Sequence, residues 1–407
     1  MGCFKYFLTV LIFCFSEQSL AQSGWTVQSS GATNHDLQSV FSTDAMSAIA
    51  VGYPTIILRT TNGGNDWTTQ YSSSTGSLYD VAFLNSNLGM VVGGDSIFRT
   101  TDGGATWNGQ SSGTGKNLVG VSFINTNMAT AVGQSGAVIR TTNGGNTWTP
   151  QATSTTEYLH DVAFIGTDTG LVVGTKGTIL RTTDGGFSWL QSVSGTELML
   201  WGISFINKYI ATVVGGNGIV LRTINGGINW SKQTSNTTST LTSVYFTSID
   251  TGTAVGGSYG IIIHTTNGGT TWIKQLEPSN TLYGVSFSNA NNGFAVGGGG
   301  LILHTTNGGL SVENNQSEIT NIFSLKQNYP NPFNPITQIN FKIAKLSNVT
   351  LKIFDVLGRE VVTLVDEKKI AGDYSVKWKA EDIPSGIYFS RLTAGDFIEV
   401  KKMLLIK

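Results

Sequence analysis

Cysteine is almost absent from this sequence of 407 residues, which contains only Cys3 and Cys14. Both precede Gln22, where we expect the mature chain to begin, so the mature protein has no thiol. This excludes disulfide bonds, cysteine-ligated zinc and a cysteine nucleophile. Charge is also scarce: charged residues make up 12% of the chain and the formal net charge is -1. That balance gives no reason to expect nucleic acid or an anionic membrane as a partner.

Glycine, in contrast, is abundant, with 51 residues. Many glycines with few charges favour short strands and tight turns over long helices that carry ion pairs. The length allows one large domain and one small one. We therefore expect an all-β protein of two domains.

Residues 1–21 have the three parts of an export signal. Lys5 lies in the first part, the uncharged run YFLTVLIFCFS follows, and Ser19 and Ala21 stand at the spacing that signal peptidase recognises. The apolar run is well short of the ~20 residues that span a bilayer, which favours a removed signal over a membrane anchor. We expect cleavage between Ala21 and Gln22 and export through the inner membrane.

Near copies of one short motif, RTTNGGNTW at Arg140–Trp148, recur along most of the chain. The first residue of the seven copies recurs every 40 to 42 residues, at Arg59, Arg99, Arg140, Arg181, Arg222, His264 and His304. Three short apolar segments precede each copy, and a fourth follows it. Four strands per repeat predict a seven-bladed β-propeller over residues 22–309.

The motif itself is predicted to be a tight turn. An Asn or Asp followed by two glycines supplies the positive φ angles of such a turn, and its side chain can bond nearby backbone amides. The seven positions are Asn62, Asp102, Asn143, Asp184, Asn225, Asn267 and Asn307. Free exchange of Asn for Asp suits turn chemistry, whereas a metal ligand or catalytic carboxylate would not tolerate it.

A tryptophan follows six of the seven turns, but the last turn is followed by Val312. The missing tryptophan is at the other end of the domain, in GWTVQSS near Trp25. We therefore predict that the N-terminal strand completes the last blade and closes the ring. The tryptophans are expected to pack between blades; they are Trp25, Trp67, Trp107, Trp148, Trp189, Trp230 and Trp272.

The stretch TTDGGATW at Thr100–Trp107 resembles the Asp-box of bacterial neuraminidase repeats. The whole unit is similar to the propeller family that includes the photosystem II assembly and stability factor. This resemblance implies the propeller fold. It does not select a function, since Asp-box propellers include sialidases, xyloglucan hydrolases, sortilin-like receptors and assembly factors.

A linker at 310–322 precedes a second domain at 323–407, which opens with NYPNPFNP. We expect that opening to be extended and unpaired, because it is rich in proline. Alternating segments follow it and predict a small immunoglobulin-like β-sandwich. The domain resembles the type A C-terminal sorting domain of type IX secretion cargo. The resemblance implies recognition by that machinery, a secreted or cell-surface product of a Gram-negative bacterium, and no cytoplasmic photosynthetic role.

Two acids break the repeat on the innermost strands. Asp80 and Asp161 stand where the other copies have Ser or Gly, and both could face the mouth of the central channel. They are the candidates for glycoside hydrolysis, which needs two carboxyl groups roughly 5 to 9.5 Å apart. Because they belong to blades 2 and 4, we expect them to be too far apart to act together.

The arginines and histidines that open the motifs are the other candidate site. As a ring they could hold an acidic peptide or an acidic glycan. The alternative, which we favour, is that each side chain caps its own hairpin or bridges to the adjacent blade. His35 and His160 have no partners at metal-ligand spacing and are expected in solvated loops. No metal or cofactor is expected.

We therefore expect a monomeric, non-catalytic binding or scaffold module that binds an unknown surface protein or glycan. A surface glycoside hydrolase is the first alternative. An assembly factor for a membrane complex is the second, on the family resemblance alone.

Overall fold

The computed structural model describes residues 23–310, 323–344, 346–369, 372–395 and 397–407. The expected signal peptide, with its cleavage at Ala21 and Gln22, lies outside these residues, as does most of the linker. The chain divides into two compact units, Met1–Val312 and Glu313–Lys407.

The first unit is built of short strands joined by turns and four brief 3-10 segments. Blade 1 consists of β2 (Asp36–Ser42), β3 (Ala48–Tyr53), β4 (Ile56–Thr60) and β5 (Thr68–Ser72). Blade 2 consists of β6 (Asp80–Phe83), β7 (Gly89–Gly93), β8 (Ser96–Thr100) and β9 (Asn108–Ser111). Blade 3 consists of β10 (Leu118–Phe123), β11 (Ala129–Gly133), β12 (Val138–Thr141) and β13 (Thr149–Pro150). Blade 4 consists of β14 (Leu159–Ile165), β15 (Thr169–Gly174), β16 (Ile179–Thr182) and β17 (Leu190–Ser192). Blade 5 consists of β18 (Leu200–Phe205), β19 (Ala211–Gly215), β20 (Val220–Thr223) and β21 (Ser231–Gln233). Blade 6 consists of β22 (Leu241–Phe246), β23 (Gly252–Gly256), β24 (Ile261–Thr265) and β25 (Ile273–Leu276). Blade 7 consists of β26 (Leu282–Phe287), β27 (Gly293–Gly297), β28 (Ile302–Thr305) and the N-terminal β1 (Thr26–Gln28).

The N-terminal strand closes the ring, as predicted. β1 runs antiparallel to β28, with Thr26 opposite His304 and Gln28 opposite Ile302. Trp25, with no exposed surface, donates from its indole nitrogen to Oε1 of Gln275 at 3.1 Å. In the resulting sheet, of order β1-β28-β27-β26, the first strand of the propeller is thus paired with its last strand.

The hydrophobic cores lie between neighbouring blades. The second strand of each blade is buried along its central residues, as in GMVVG of β7. Trp25 of blade 7 packs with Val255 and Leu276 of blade 6 and meets Phe287 edge to face at 5.9 Å. Trp67 of blade 1 packs in the same way against Phe294 of blade 7. The tryptophans therefore lie at blade interfaces, where their large apolar surface is removed from water.

The Asx motif forms the same hydrogen-bonded turn in every blade. In blade 1 the buried Thr60 donates its hydroxyl to Oδ1 of Asn62 at 3.0 Å and accepts the Gly64 amide at 2.9 Å. Asn62 Oδ1 also accepts the Asp66 amide at 3.0 Å. Gly63 and Gly64 have φ of 70° and 83°, values that residues with a side chain rarely adopt.

These turns lie at one end of the ring, which we call the turn face. In each blade the first glycine of the Asx turn donates its amide to the turn between strands one and two, as Gly226 does to Tyr209 at 2.7 Å. The other end, the cavity face, carries the connections between strands two and three and between blades. There the Gly136 amide donates to the Glu157 carbonyl at 2.8 Å. Each innermost strand begins at the cavity face.

The second unit is a sandwich of two antiparallel sheets. Its strands are β29 (Ser324–Leu325), β30 (Ile336–Ile343), β31 (Ser347–Phe354), β32 (Glu360–Lys369), β33 (Gly372–Lys379), β34 (Gly386–Ala394) and β35 (Phe397–Leu405). One sheet has the order β29-β30-β33 and the other β32-β31-β34-β35. Their facing side chains, including Phe341, Leu351, Trp378 and Met403, form one buried core.

The opening NYPNPFNP segment is not unpaired, and that prediction is wrong. Tyr329 exchanges two backbone hydrogen bonds with Gln338, each 3.0 Å long. Phe333 donates to Leu404 and accepts from Ile406, also at 3.0 Å, and its ring is buried in the core. Proline prevents a continuous ladder because it has no amide hydrogen, yet the residues between the prolines bond both sheets. The segment therefore ties the sandwich together.

Candidate functional site

One position of the repeat carries six different residue types in the seven blades, although the residue before it is constant. That constant residue is a fully or almost fully buried leucine at or beside the start of each innermost strand. The seven residues at the variable position, here called the bulge ring, are Gln38, Tyr79, Val119, His160, Trp201, Thr242 and Tyr283. The constant leucine is part of the repeated core of the propeller. The position after it has no common residue type, so the repeat does not require one particular side chain there.

Backbone geometry explains why these side chains project inward. In six blades the pairing register between strands one and two shifts at this residue, as between Leu159 and Asp161 around His160. Such a shift is a β-bulge, in which an extra residue leaves the ladder and its side chain is re-aimed. In each of these six blades the bulge turns one side chain toward the centre of the ring.

The bulge ring lines a central cavity of about 500 Å³ at the cavity face. All seven members contact it, together with Tyr158, Thr240 and six residues at the position that follows the bulge ring. Those six are Ser39, Asp80, Asp161, Gly202, Ser243 and Gly284. A concave space of this size, lined by aromatic rings and a few polar groups, has the character of a ligand site.

At the position after the bulge ring, residues with a side chain alternate with glycine from blade 2 onward. The reason is that the innermost strands of neighbouring blades approach closely. A Cβ atom built on Gly120 would lie 3.1 Å from Cα of Asp161, and one on Gly202 would lie 3.0 Å from Cα of Ser243. Blades with a side chain here are thus followed by blades with glycine. No side chain at this position stands between Asp80 and Asp161, since the intervening residue is Gly120.

Asp80 and Asp161 both reach to the next blade. Asp161 Oδ2 accepts the Ile203 amide at 2.8 Å, and its Oδ1 accepts the Val162 amide at 2.7 Å. Asp80 Oδ2 accepts the Val121 amide at 2.9 Å. Asp80 Oδ1 also accepts the Val81 amide and the hydroxyl of Ser39, each at 2.9 Å. The two acids therefore join adjacent blades while they line the cavity.

Burial shifts the titration of these groups. Burial, together with the neighbouring charge of Asp161, raises the pKa of Asp80 to about 7. Burial likewise raises the pKa of Asp161 to about 6. The expectation that the two acids are too far apart to act together stays a prediction. The structure places both at one cavity, where the charge of Asp161 acts on Asp80.

Three rings form a stack on the same side of the cavity. His160 lies 5.1 Å from Tyr158 and 4.0 Å from Trp201 between ring centroids. The prediction that His160 is a solvated loop residue is wrong, because it is half-buried within β14, and burial lowers its pKa to about 4. His35 does lie in a loop, but it too is half-buried.

The motif-opening arginines lie near the turn face, away from this cavity, and reach toward the following blade. Arg59 Nε donates to the Gly103 carbonyl at 2.9 Å, and Arg181 Nε to that of Gly226 at 2.5 Å. Arg222 Nη2 donates to the Ile249 carbonyl at 2.8 Å. Arg140 stacks over Phe187 at 4.0 Å. A Cβ built on Gly144 would lie 3.6 Å from Nη2 of Arg99.

The two histidines of this set do not extend the arginine pattern. His264 Nδ1 bonds the Thr253 hydroxyl at 3.0 Å within its own blade, and His304 stacks on Phe294 at 4.4 Å. These contacts correspond to the structural alternative, in which each side chain fastens the ring. We therefore leave this set out of the candidate site.

The described residues lack two kinds of feature. They contain no group of three His, Cys, Asp or Glu side chains that could hold a metal ion. No helix among them is long and apolar enough to cross a membrane.

Comparison with known families gives two matches. Residues 70–154, 147–199 and 190–278 match the family described as photosynthesis system II assembly factor YCF48. Together these segments span more than half of the chain. The chain belongs to this family. No curated protein matches the chain.

Solved structures share the propeller fold of this family member. A structure described as YCF48 bound to D1 peptide is 17% identical, with a TM-score of 0.59 over 70% of this chain and 95% of that one. YCF48 from Cyanidioschyzon merolae is 21% identical, with a TM-score of 0.58 over 69% and 98%. The WD40 repeats of RRP9 are 11% identical, with a TM-score of 0.56 over 69% and 97%. At these identities the likeness shows the fold alone.

The second family match covers residues 327–407, which form a secretion system C-terminal sorting domain. The chain is therefore cargo of the type IX system and is secreted or displayed at the cell surface.

Proposed function

We propose that the propeller is a non-catalytic binding module of the cell surface, with its ligand in the central cavity. The observation that carries this proposal is the bulge ring, which gathers side chains of six different types around one cavity on a scaffold whose leucines and Asx turns repeat in every blade. In a repeat protein the repeated positions maintain the fold, and the positions that differ between repeats provide the specificity of the site.

The contacts of the acidic residues argue against the glycoside hydrolase alternative. A general acid must present a proton to the leaving-group oxygen, and a nucleophile must present a free oxygen to the sugar. Every carboxylate oxygen of Asp80 and Asp161 already accepts a backbone amide hydrogen. Those bonds hold the carboxylates in the wall, where they bind rather than react.

A protein ligand is the form of the proposal that we favour over a glycan. One solved propeller of this family is described as bound to a peptide. The aromatic residues of the cavity, Tyr79, Tyr158, Trp201 and Tyr283, offer rigid apolar surfaces with polar edges, which suit protein side chains. An exported assembly factor would use such a site to hold a segment of its partner.

A binding and turnover screen tests this proposal. The purified full chain is applied to panels of surface glycans and of displayed peptides, and both retained protein and released reducing sugar are measured. We expect retention without release, lost in Trp201→Ala and kept in Phe187→Ala. Phe187 is the matched control, an aromatic residue 69% exposed on the turn of blade 4. Released sugar, or retention that survives Trp201→Ala, would contradict the proposal.

A further inference from the structure

We propose that the central cavity binds a protonated basic side chain, lysine or arginine, of a protein segment, whose charged group bonds Asp80 and Asp161. This rests on the proposed function, because it takes the cavity as the ligand site, and it adds the chemistry of the ligand. Three features of the cavity suit such a ligand: free acceptor positions on the two carboxylates, the absence of a compensating positive charge among the described lining residues, and an aromatic wall.

The two carboxylates keep acceptor positions for a ligand. A carboxylate offers about four acceptor positions. Asp80 accepts three hydrogen bonds, from Ser39, Val81 and Val121. Asp161 accepts two, from Val162 and Ile203. About one position at Asp80 and about two at Asp161 are therefore left for the several donors of an ammonium or guanidinium group.

No positive charge of the propeller compensates these acids. Among the described residues that line the cavity there is no lysine or arginine. His160 is uncharged near neutral pH because burial lowers its pKa to about 4. The other titratable groups are Tyr79, Tyr158 and Tyr283, with Asp36 near Tyr283, and none of them supplies a cation. A ligand cation would thus meet a negative, partly desolvated wall.

The aromatic wall suits the stem of a basic side chain. Lysine and arginine carry apolar methylene stems that pack on aromatic surfaces while the charged end bonds elsewhere. The stacked rings of Tyr158, His160 and Trp201 lie beside Asp161, since His160 directly precedes it in the sequence. The faces of aromatic rings attract cations.

The ionisation of the acids gives this proposal a pH signature. The carboxylate forms attract a cation, and the protonated forms do not. Since the pKa values of Asp80 and Asp161 are raised to about 7 and about 6, affinity should rise between pH 5 and pH 8. Burial lowers the pKa of His160 to about 4 and raises the pKa values of Tyr158 and Tyr283, so these groups do not account for a change over that range.

The test is a selection from displayed random heptapeptides with the immobilised full chain at pH 8 and pH 5. The enriched peptides are sequenced, and the best binder is compared with its Lys→Gln or Arg→Gln form by fluorescence anisotropy. We expect Lys or Arg to be enriched at pH 8 but not at pH 5, and the Gln form to bind at least about tenfold more weakly at pH 8. Added salt should weaken the parent peptide more than the Gln form.

Variants separate this inference from the proposed function. Asp161→Asn should abolish the basic preference, whereas Asp102→Asn, on the turn face, should keep it. Peptides that are enriched without a basic preference and lost in Trp201→Ala would overturn the cation proposal and leave the cavity as the site. Absence of enrichment, or enrichment unchanged in Trp201→Ala, would overturn both. If Asp161→Asn does not fold, the pH dependence of the natural chain decides.

Discussion

Oδ2 of Asp161 in blade 4 accepts the backbone amide of Ile203 in blade 5 at 2.8 Å. The same carboxylate lines the central cavity, so one side chain fastens two blades and also faces the proposed ligand site. Asp80 has the same double role through the Val121 amide. Structural and ligand-binding contributions of these acids can be separated only by pairs of substitutions.

Asp161→Ala should destabilise the propeller more than Asp161→Asn. Alanine leaves the half-buried Ile203 amide without an acceptor, which costs about 1–3 kcal/mol, whereas asparagine keeps an acceptor oxygen. Thermal unfolding of the full chain measures the difference. Equal melting temperatures for the two variants would show that the bond between blades contributes no stability.

Deletion of residues 22–35 should open the ring and sharply lower the melting temperature of the propeller. The deletion removes β1, the partner of β28, and exposes the edge of blade 7. Trp25→Ala alone should cost about 3–5 kcal/mol, because it leaves a cavity between blades 6 and 7.

Val27→Ala is the control for both changes. Val27 lies in the same strand but is 54% exposed, so its truncation should leave the melting temperature nearly unchanged. A deletion variant that melts like the natural chain would refute the role of the donated strand.

Acid should destabilise the propeller through two of its turns. Hydrogen bonds from Thr106 lower the pKa of Asp102 to about 2; in Asp184 burial acts the opposite way, but bonds from Ser188 prevail and the pKa is again about 2. Both groups titrate lower in the folded than in the unfolded chain. Their contribution to stability is therefore present above pH 4 and lost as the pH falls toward 2.

The double variant Asp102→Asn, Asp184→Asn provides the matched control, because the other five turns already contain asparagine. Its melting temperature should fall less between pH 4 and pH 2 than that of the natural chain. Parallel curves would assign acid sensitivity to other groups.

Arg59→Ala should lower stability without changing ligand binding. The substitution removes a charge-assisted bond to the Gly103 carbonyl, and such bonds contribute about 1.5–3 kcal/mol before solvent screening of this half-buried side chain reduces the value. Melting and binding to the selected peptide are measured together. Weaker peptide binding with an unchanged melting temperature would return the arginines to the candidate site.

A reporter fused to residues 310–407 should reach the cell surface only where the type IX apparatus works. Leu405→Asp should block delivery, since Leu405 is 1% exposed in the core of the sandwich and a charge there prevents folding. Surface labelling in wild-type and secretion-deficient cells gives the result. Delivery in the deficient cells would exclude this role of the domain.

The propeller was largely predictable because its signal is repeated. Seven copies of the Asx turn give the strand count, and the tryptophan without a turn, Trp25, gives the closure. The prediction that NYPNPFNP is unpaired was wrong. The proline content shows which residues cannot donate a backbone hydrogen bond, but it does not show whether the residues between the prolines find partners in the folded sandwich.

The site was only partly predictable. Asp80 and Asp161 break the repeat with a charge and so were visible, whereas the bulge ring was not singled out. The signal was present, as a variable residue after a constant leucine, from Gln38 after Leu37 to Tyr283 after Leu282. That these residues meet in one cavity depends on β-bulges, and their effect on side-chain direction cannot be seen in residue types.

The chain enters and leaves the ring at the same blade. β1 pairs with β28, and the Asn307 side chain donates to the Leu310 carbonyl at 2.9 Å, just where the described part of the ring ends. None of the described sheets of the propeller contains a strand from the second unit. Removal of the sorting domain by a cut between the two units would therefore leave the described strand pairing of the propeller intact, including the β1–β28 pair that closes the ring.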